Sequence, residues 1–285
     1  MKVRAALLIM LTMLLVGCSS GPYLLVSPGA SIRDEVRSAG WREINFDVRP
    51  FMLTGFYRPG KTRVDTLHVY IESDGFAFDS NGQPTLNPTP LDPVALNMAF
   101  NDPAPAVLYL ARPCQYPKEN KTRSCAMKYW TFHRFAKEVI RASSQAIDLF
   151  KTKSWSKKVL LIGHSGGGAV AALVAAHRRD VVGLITVAGT LDHKAWMDHF
   201  KLPKLYGSLN PVDFVKPLSR IPQTHYVGLD DEIMPPLVAQ SYMSALKRAA
   251  PNASPNATII KVPSYSHNCC WAENWPELLK RTGLK

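Results

Sequence analysis

The sequence predicts an α/β domain with a mostly parallel central sheet and helices on both faces. Short runs dense in apolar and β-branched residues are typical of strands buried on both sides, and they occur at 67–71, 107–110, 159–162, 183–187, 226–228 and 258–262. Helical stretches alternate with these runs, as in an α/β sheet, at 130–150, 169–177 and 236–249. With 285 residues, 46% of them hydrophobic, the chain can bury a large core without relying on disulfides.

A strand pair and a short helix precede this alternating series. Residues 41–49 alternate apolar and polar side chains, as a half-buried strand does, and 51–57 are predicted as its antiparallel hairpin partner. Residues 18–40 contain prolines and glycines and are interpreted as a tether that ends in a helix over 31–39. The folded domain is therefore expected to span 41–285.

Two longer segments interrupt the alternation of strands and helices. Residues 76–105 are rich in Pro, Asn and Asp and are predicted to be loop. Residues 190–222 place aromatic side chains among prolines and lysines, and are predicted to form a small cap over the carboxyl edge of the sheet. Ligands of open α/β sheets bind at that edge.

The N-terminus has the pattern of an export signal. Two basic residues precede an unbroken run of small, apolar and Thr residues over 5–16. This run is too short to cross a bilayer, which takes about 20 helical residues, and it fits a secretory signal better. The sequence therefore predicts an exported protein.

The end of the signal, Leu15-Val16-Gly17-Cys18, resembles the lipobox of bacterial lipoproteins. The resemblance implies that residues 1–17 are removed and that Cys18 is lipidated, so that the protein is anchored in a membrane of the cell envelope. Ser19 after the cysteine resembles the sorting signal for the outer membrane, facing the periplasm. The alternative is an ordinary signal peptide that happens to end in a cysteine.

With Cys18 lipidated, four cysteines remain, and an even number in an oxidising compartment indicates disulfides. Cys114 and Cys125 flank a short polar loop and are the predicted pair. The adjacent Cys269 and Cys270 are left open among a vicinal bridge, free thiols and other partners. No C-x₂-C or H-E-x-x-H spacing occurs, so no metal site is predicted.

The net charge is +12, from 34 Lys and Arg against 22 Asp and Glu. This balance fits an anionic membrane or lipopolysaccharide surface beside the anchor. The alternative, that the lysines only keep the domain soluble, is equally consistent with the composition. Nucleic acid is not an expected partner, because no basic–aromatic motif is present and the protein is exported.

The strongest chemical motif is Gly163-His164-Ser165-Gly166-Gly167, which lies between a predicted strand and a predicted helix. It matches G-x-S-x-G, in which a sharp turn presents a nucleophilic serine and small residues must flank it. The alternative is a glycine-rich nucleotide loop. It is disfavoured because no acidic residue follows about 20 positions later and no G-x₄-G-K-[ST] motif occurs.

Two further segments complete a pattern. The turn Gly228-Leu-Asp-Asp231-Glu-Ile-Met-Pro235 follows the predicted strand at 226–228, and Ser264-Tyr-Ser-His267-Asn268 follows the last predicted strand. Serine, acid and histidine in this order, each after a strand, resemble the α/β-hydrolase superfamily over residues 41–285. The resemblance implies an α/β-hydrolase fold and a Ser–His–Asp triad.

The resemblance implies a role for each of these residues. Ser165 is the expected nucleophile and His267 the general base, and Asp231 is the expected acid that orients the imidazole. Asp192, after the strand at 183–187, and Asp230 remain alternatives for the acid. A purely structural loop histidine and a solvated acidic turn are the corresponding non-catalytic interpretations.

An oxyanion hole is also implied. The backbone N–H of Gly166, directly after the serine, is one expected donor. Phe76 N–H is the other, because Asp74-Gly75-Phe76 occupies the place of the superfamily's His-Gly-x motif. Asp74 departs from that motif, because it stands where the motif has histidine.

The expected function is a lipid-anchored serine hydrolase of the cell envelope that cleaves carboxylic esters and needs no cofactor. Thioesterases, peptidases and lactonases use the same triad, so the fold does not fix the substrate. The alternative is a non-catalytic lipoprotein that uses the same fold to bind a partner or a lipid.

Overall fold

The computed structural model describes residues 28–60, 63–117, 124–250 and 256–284. The strands are β1 (Arg42–Val48), β2 (Phe51–Tyr57), β3 (Thr66–Ile71), β4 (Val107–Leu110), β5 (Lys158–His164), β6 (Val181–Val187), β7 (Gln223–Gly228) and β8 (Ala257–Val262). The helices are α1 (Pro28–Ser38), α2 (Val94–Phe100), α3 (Lys137–Ser154), α4 (Gly166–Ala176), α5 (His193–Phe200), α6 (Val215–Leu218), α7 (Pro236–Ala249) and α8 (Trp275–Arg281).

The strands form one eight-stranded sheet in the order β1-β2-β4-β3-β5-β6-β7-β8. Strand β2 is antiparallel to both of its neighbours, and all pairs from β4 to β8 are parallel. The predicted mostly parallel sheet and its N-terminal hairpin are thus confirmed. Strand β4 lies on one side of β3, whereas β5 lies on its other side and is followed there by β6, β7 and β8. The strand order therefore reverses between β3 and β5. The carboxyl ends of β3 and β5 therefore flank a switch point, where α/β sheets bind ligands.

Helices cover both faces of the sheet, because its strands are apolar on both sides. Along β5, Val159 and Leu161 belong to the core that packs under α3, α4 and α7. Leu160 and Ile162 belong to the core on the other side, under α1, α2 and α8. All four side chains are fully buried. The sheet therefore holds the loops at its carboxyl edge on a rigid base.

The helices differ from the sequence predictions at several places, among them α8, which was not predicted, and α1, which begins at Pro28 rather than at residue 31. The stretch predicted as helix from residue 130 begins only at Lys137, because residues 130–136 turn irregularly and bury Phe135 and Arg134. The 76–105 segment, predicted as loop, contains α2, whose apolar residues pack against the sheet. Most of α2 is apolar, so its sequence carried little of the amphipathic period by which helices are recognised.

The cysteines differ from the predicted pairing. Cys269 and Cys270 form a vicinal disulfide, whereas Cys114 and Cys125 are thiols. The fold does bring the latter two together, in a small cluster with Trp130, so the predicted proximity is present and the bond is not. A disulfide requires oxidation as well as proximity.

The predicted signal peptide, the lipidation site Cys18 and the first part of the tether lie outside the described residues. No helix within the described ranges combines the length and the apolar composition needed to span a bilayer. The 190–222 segment contains α5 and α6 and lies between β6 and β7.

Candidate active site

Ser165 occupies the sharp turn between β5 and α4. Its backbone has φ 53° and ψ −123°, a strained conformation for a residue with a Cβ. The turn is tight enough that a Cβ on Gly163 would lie 2.3 Å from the Gly167 carbonyl oxygen. A Cβ on Gly167 would lie 2.1 Å from the carbonyl oxygen of Ile71 in β3. Glycine at both positions is therefore required by close backbone approach, which places the serine beside the end of β3.

His267 reaches Ser165 from the loop after β8. Its Nε2 lies 3.0 Å from Ser165 Oγ, and its Nδ1 lies 2.9 Å from Asp231 Oδ2. In the tautomer that satisfies both contacts, Ser165 Oγ–H donates to Nε2 and Nδ1–H donates to the carboxylate. The three side chains form one continuous hydrogen-bonded chain with the geometry of a general-base triad.

Asp231 is held rigidly by the turn that follows β7. Its Oδ1 accepts hydrogen bonds from the backbone N–H groups of Ile233, at 2.9 Å, and Met234, at 2.7 Å. Its side chain is fully buried. These two hydrogen bonds offset the cost of burying the carboxyl group and fix its orientation towards His267.

The two alternative acids lie elsewhere. Asp192 is the N-cap of α5, where its Oδ1 accepts from the N–H groups of Lys194 and Ala195 and its Oδ2 accepts from Ser241 Oγ. Asp230 is exposed. Of these three aspartates, Asp231 is the one that is hydrogen-bonded to His267.

The amide groups near the serine differ in part from prediction. Gly166 begins α4, so its N–H has no acceptor within the helix. Phe76 N–H, the predicted second donor, instead donates to the carbonyl oxygen of Pro88 at 3.2 Å. The reason is local: Gly75, at φ +66°, turns the chain so that Phe76 pairs with the following loop. Among the described residues, the N–H of Asp74 makes no hydrogen bond.

Asp74 lies against the turn that holds Ser165. A Cβ on Gly166 would be 2.4 Å from its Oδ1, so the carboxylate covers the start of α4. Arg112 Nη1 lies 3.3 Å from Oδ1, and Arg134 Nη1 lies 2.7 Å from Oδ2. No sequence motif pointed to either arginine, because one follows β4 and the other lies in the irregular segment before α3.

His164 contacts His267, with the two ring centroids 5.0 Å apart. It is buried, and its Nε2–H donates to the backbone carbonyl oxygen of His267 at 2.9 Å. Burial, followed by the effect of the neighbouring His267, lowers the pKa of His164 to about 3. The ring is therefore neutral at physiological pH and serves as a hydrogen-bond donor that fixes the loop.

These groups open into a cleft of about 450 Å³ at the carboxyl edge of the sheet. Both Ser165 and His267 line it. Most of the remaining wall is apolar and comes from four parts of the chain. These are the segment between β3 and β4 (Phe76, Ala77, Phe78, Pro90, Leu91), the segment before α3 (Phe135), the segment between β6 and β7 (Trp196, Leu205) and the turn after β7 (Ile233, Met234). Trp196 and Leu205 belong to the segment predicted as a cap. The described residues contain no group of three or more His, Cys, Asp or Glu side chains that could hold a metal ion.

Comparison with known proteins shows a shared fold. No protein-family model matches the sequence, and no curated protein is significantly similar to it. Among solved structures, Est1E from Butyrivibrio proteoclasticus superposes with a TM-score of 0.56 at 15% identity, covering 84% of this chain and 98% of that one. An esterase from Pyrococcus furiosus gives a TM-score of 0.56 at 14% identity, over 85% of this chain and 91% of its own. An alpha-beta serine hydrolase homologue from Coxiella burnetii gives 0.53 at 13% identity, over 85% and 95%.

Proposed function

Because the chain has the fold of the α/β-hydrolase superfamily, we propose that it is a serine hydrolase that cleaves carboxylic esters. The observation that carries the proposal is the continuous chain from Ser165 Oγ through His267 to Asp231, with links of 3.0 and 2.9 Å. A fold alone does not specify an activity, whereas a strained serine hydrogen-bonded to an oriented imidazole is an activated nucleophile.

The reaction follows from the positions of these groups. Ser165 Oγ attacks the acyl carbonyl carbon while its proton passes to His267 Nε2, and Asp231 stabilises the imidazolium that forms. The imidazolium then protonates the leaving alcohol, and an acyl-enzyme remains. Water attacks this ester by the same route in reverse, with His267 as base, and releases the carboxylic acid.

The negative charge on the tetrahedral intermediate needs donors fixed in advance. We assign one to Gly166 N–H at the start of α4, where the helix dipole also favours an anion. We assign the other to Asp74 N–H, which replaces the sequence-based choice of Phe76. The Asp74 side chain is held in ion pairs by Arg112 and Arg134, so its charge is compensated beside the developing oxyanion.

The substrate class follows from the wall of the cleft. Aromatic and aliphatic side chains line most of it, and they favour an acyl or aryl group over a polar peptide. Phe78, Leu91 and Ile233 are exposed at the mouth, so that apolar surface continues from the cleft to the outside of the protein.

We also propose attachment to an envelope membrane through Cys18, facing the periplasm. The support is the lipobox-like sequence Leu15-Val16-Gly17-Cys18 at the end of the predicted signal peptide.

The activity is tested with a panel of 4-nitrophenyl esters from acetate to palmitate. We expect hydrolysis by the wild type, with kcat reduced by about 10³-fold or more in both Ser165→Ala and His267→Ala. Equal rates for the wild type and Ser165→Ala would overturn the proposal. Far-UV circular dichroism of each variant controls for folding.

A further inference from the structure

One charged group in the cleft has no role in the triad. Arg134 lines the same cleft as Ser165, and its side chain is only 9% exposed. Its Nε donates to the Thr131 carbonyl oxygen at 2.7 Å, and its Nη1 donates to Asp74 at 2.7 Å. Its Nη2 makes no hydrogen bond within the described part of the chain, and this nitrogen is not among the fully buried unpaired atoms.

The local charges do not balance. Asp74 pairs with both Arg112 and Arg134, so the cluster has two positive charges and one negative charge. The Arg112 side chain is buried and also donates through Nη2 to the Arg134 carbonyl oxygen. A second carboxyl group, Glu72, interacts with Arg112, but burial raises its pKa to about 7, so it is only partly ionised at neutral pH.

Buried charges in proteins are normally paired, because removing an unpaired one from water is costly. Asp92 also lines the cleft, but it is exposed to solvent at the rim, where water screens it. The net positive charge of this cluster therefore lies at the wall of the cleft, where the Arg134 guanidinium also sits 5.7 Å from the centroid of the Phe78 ring. Among the described residues, Nη2 is the Arg134 nitrogen that has no hydrogen bond. A guanidinium in this position matches an anionic oxygen group on a ligand.

We propose that Arg134 binds an anionic oxygen group of the substrate, so that the preferred substrates are esters that carry a carboxylate or a phosphate. The inference rests on the proposed ester hydrolysis at Ser165 and narrows its substrate class. Asp74 contacts both Gly166 and Arg134, so the anionic group binds beside the acyl carbonyl. The apolar wall holds the hydrocarbon part of the same molecule.

Two pairs of ester substrates test whether the negative charge of the substrate, rather than its shape, determines the rate of hydrolysis. The first is the 4-nitrophenyl half-ester of succinic acid, which carries a carboxylate, beside its neutral methyl-capped diester. The second is a 1-acylglycerol 3-phosphate beside the matched monoacylglycerol. For each pair the measured quantity is the ratio of kcat/KM for the anionic ester to kcat/KM for the neutral one.

Arg134→Met removes the charge, and Arg134→Lys keeps it without the planar donor group. The matched control is Arg58→Met, because Arg58 is half-buried and donates to the backbone carbonyl oxygens of Asp102 and Ala104. We expect Arg134→Met to lower the ratio of kcat/KM values for the preferred pair about tenfold or more, because KM for the anionic ester rises. Arg134→Lys retains part of the preference, and Arg58→Met leaves the ratio unchanged.

The pair with a ratio above one identifies the anionic group as carboxylate or phosphate. Wild-type ratios at or below one for both pairs, with neutral esters hydrolysed normally, overturn this inference while the proposed function stands. A ratio that survives in Arg134→Met also overturns it. Failure to hydrolyse any ester overturns the proposed function, and this inference with it. If Arg134 had only a structural role, Arg134→Met would lower kcat/KM equally for the anionic and the neutral ester of a pair, and their ratio would not change.

Discussion

At the scale of single residues, hydrogen bonding distinguishes Asp231 from the two other candidate acids, Asp192 and Asp230. Asp231 contacts His267, whereas Asp192 is used as a helix cap. We predict that Asp231→Asn lowers kcat for a 4-nitrophenyl ester by about 10³- to 10⁴-fold, because an amide favours the wrong imidazole tautomer. The measurement is steady-state kinetics of the purified protein.

Asp192→Asn is the matched control for this substitution. It weakens the cap of α5 and should cost about 1–2 kcal/mol of stability in denaturant unfolding, with kcat retained. A larger loss of kcat in Asp192→Asn than in Asp231→Asn would show that the acid is Asp192.

Glu72 is a second residue with a measurable consequence. It is fully buried at the end of β3, its Oε1 accepts from Ser73 N–H at 2.7 Å, and its Oε2 has no partner within the described residues. Burial raises its pKa from 4.5 to about 7. Between these pH values the folded protein keeps a proton that the unfolded chain has lost, so this group makes stability fall as pH rises.

By pH 8 this effect of Glu72 lowers the free energy of unfolding by about 3 kcal/mol relative to its value below pH 4.5. We predict that Glu72→Gln flattens the dependence of unfolding free energy on pH between about 4.5 and 8, measured by urea titration. Glu277→Gln is the control, because Glu277 is exposed on α8. If wild type and Glu72→Gln lose stability in parallel across this range, Glu72 is not protonated in the folded state.

At the scale of elements, the strand–turn–helix around Ser165 depends on contact between two backbones. Gly167 lies against the carbonyl oxygens of Ile71 and Glu72. We predict that Gly167→Ala destabilises the protein by about 2–3 kcal/mol, as overpacking does, and also lowers kcat, because the loop after β3 must move. Thermal unfolding and ester hydrolysis measure the two effects.

Gly82→Ala is the control at this scale. Among the described residues, no atom lies within 4 Å of the position that a Cβ would take at Gly82, although its φ is +72°, so the substitution costs only the backbone strain. It should leave kcat/KM unchanged. Full activity in Gly167→Ala would contradict the role assigned to this contact.

The limits of sequence-based prediction are also clearest at the scale of elements. Dense apolar runs predicted the parallel strands, and the residues around Ser165, Asp231 and His267 were found because each follows a strand in a short motif. The hydrogen bond from Phe76 N–H to the Pro88 carbonyl oxygen could not be predicted, because the direction of this N–H depends on the turn at Gly75. Contacts such as that of Arg134 with Asp74 join residues 60 positions apart, and Arg134 lies in no recognisable pattern.

At the scale of the whole molecule, the sheet brings distant segments to one edge. The hydrogen bond between Ser165 and His267 joins residues 102 positions apart. We predict that replacing residues 1–18 by a cleavable signal peptide without the cysteine moves the protein from the membrane fraction to the soluble fraction of the envelope without loss of ester hydrolysis. Fractionation followed by immunoblotting measures this. Membrane association that persists in this variant would contradict anchoring through Cys18.

The most direct test of the proposed hydrolase activity is covalent labelling with a fluorophosphonate probe, which reacts with activated serines. We predict that the wild type is labelled, that peptide mass spectrometry finds the adduct on Ser165, and that Ser165→Ala takes up no label while Asp231→Asn reacts slowly. A wild type that is folded by circular dichroism and remains unlabelled would contradict an activated Ser165, and the non-catalytic binding protein would become the better interpretation.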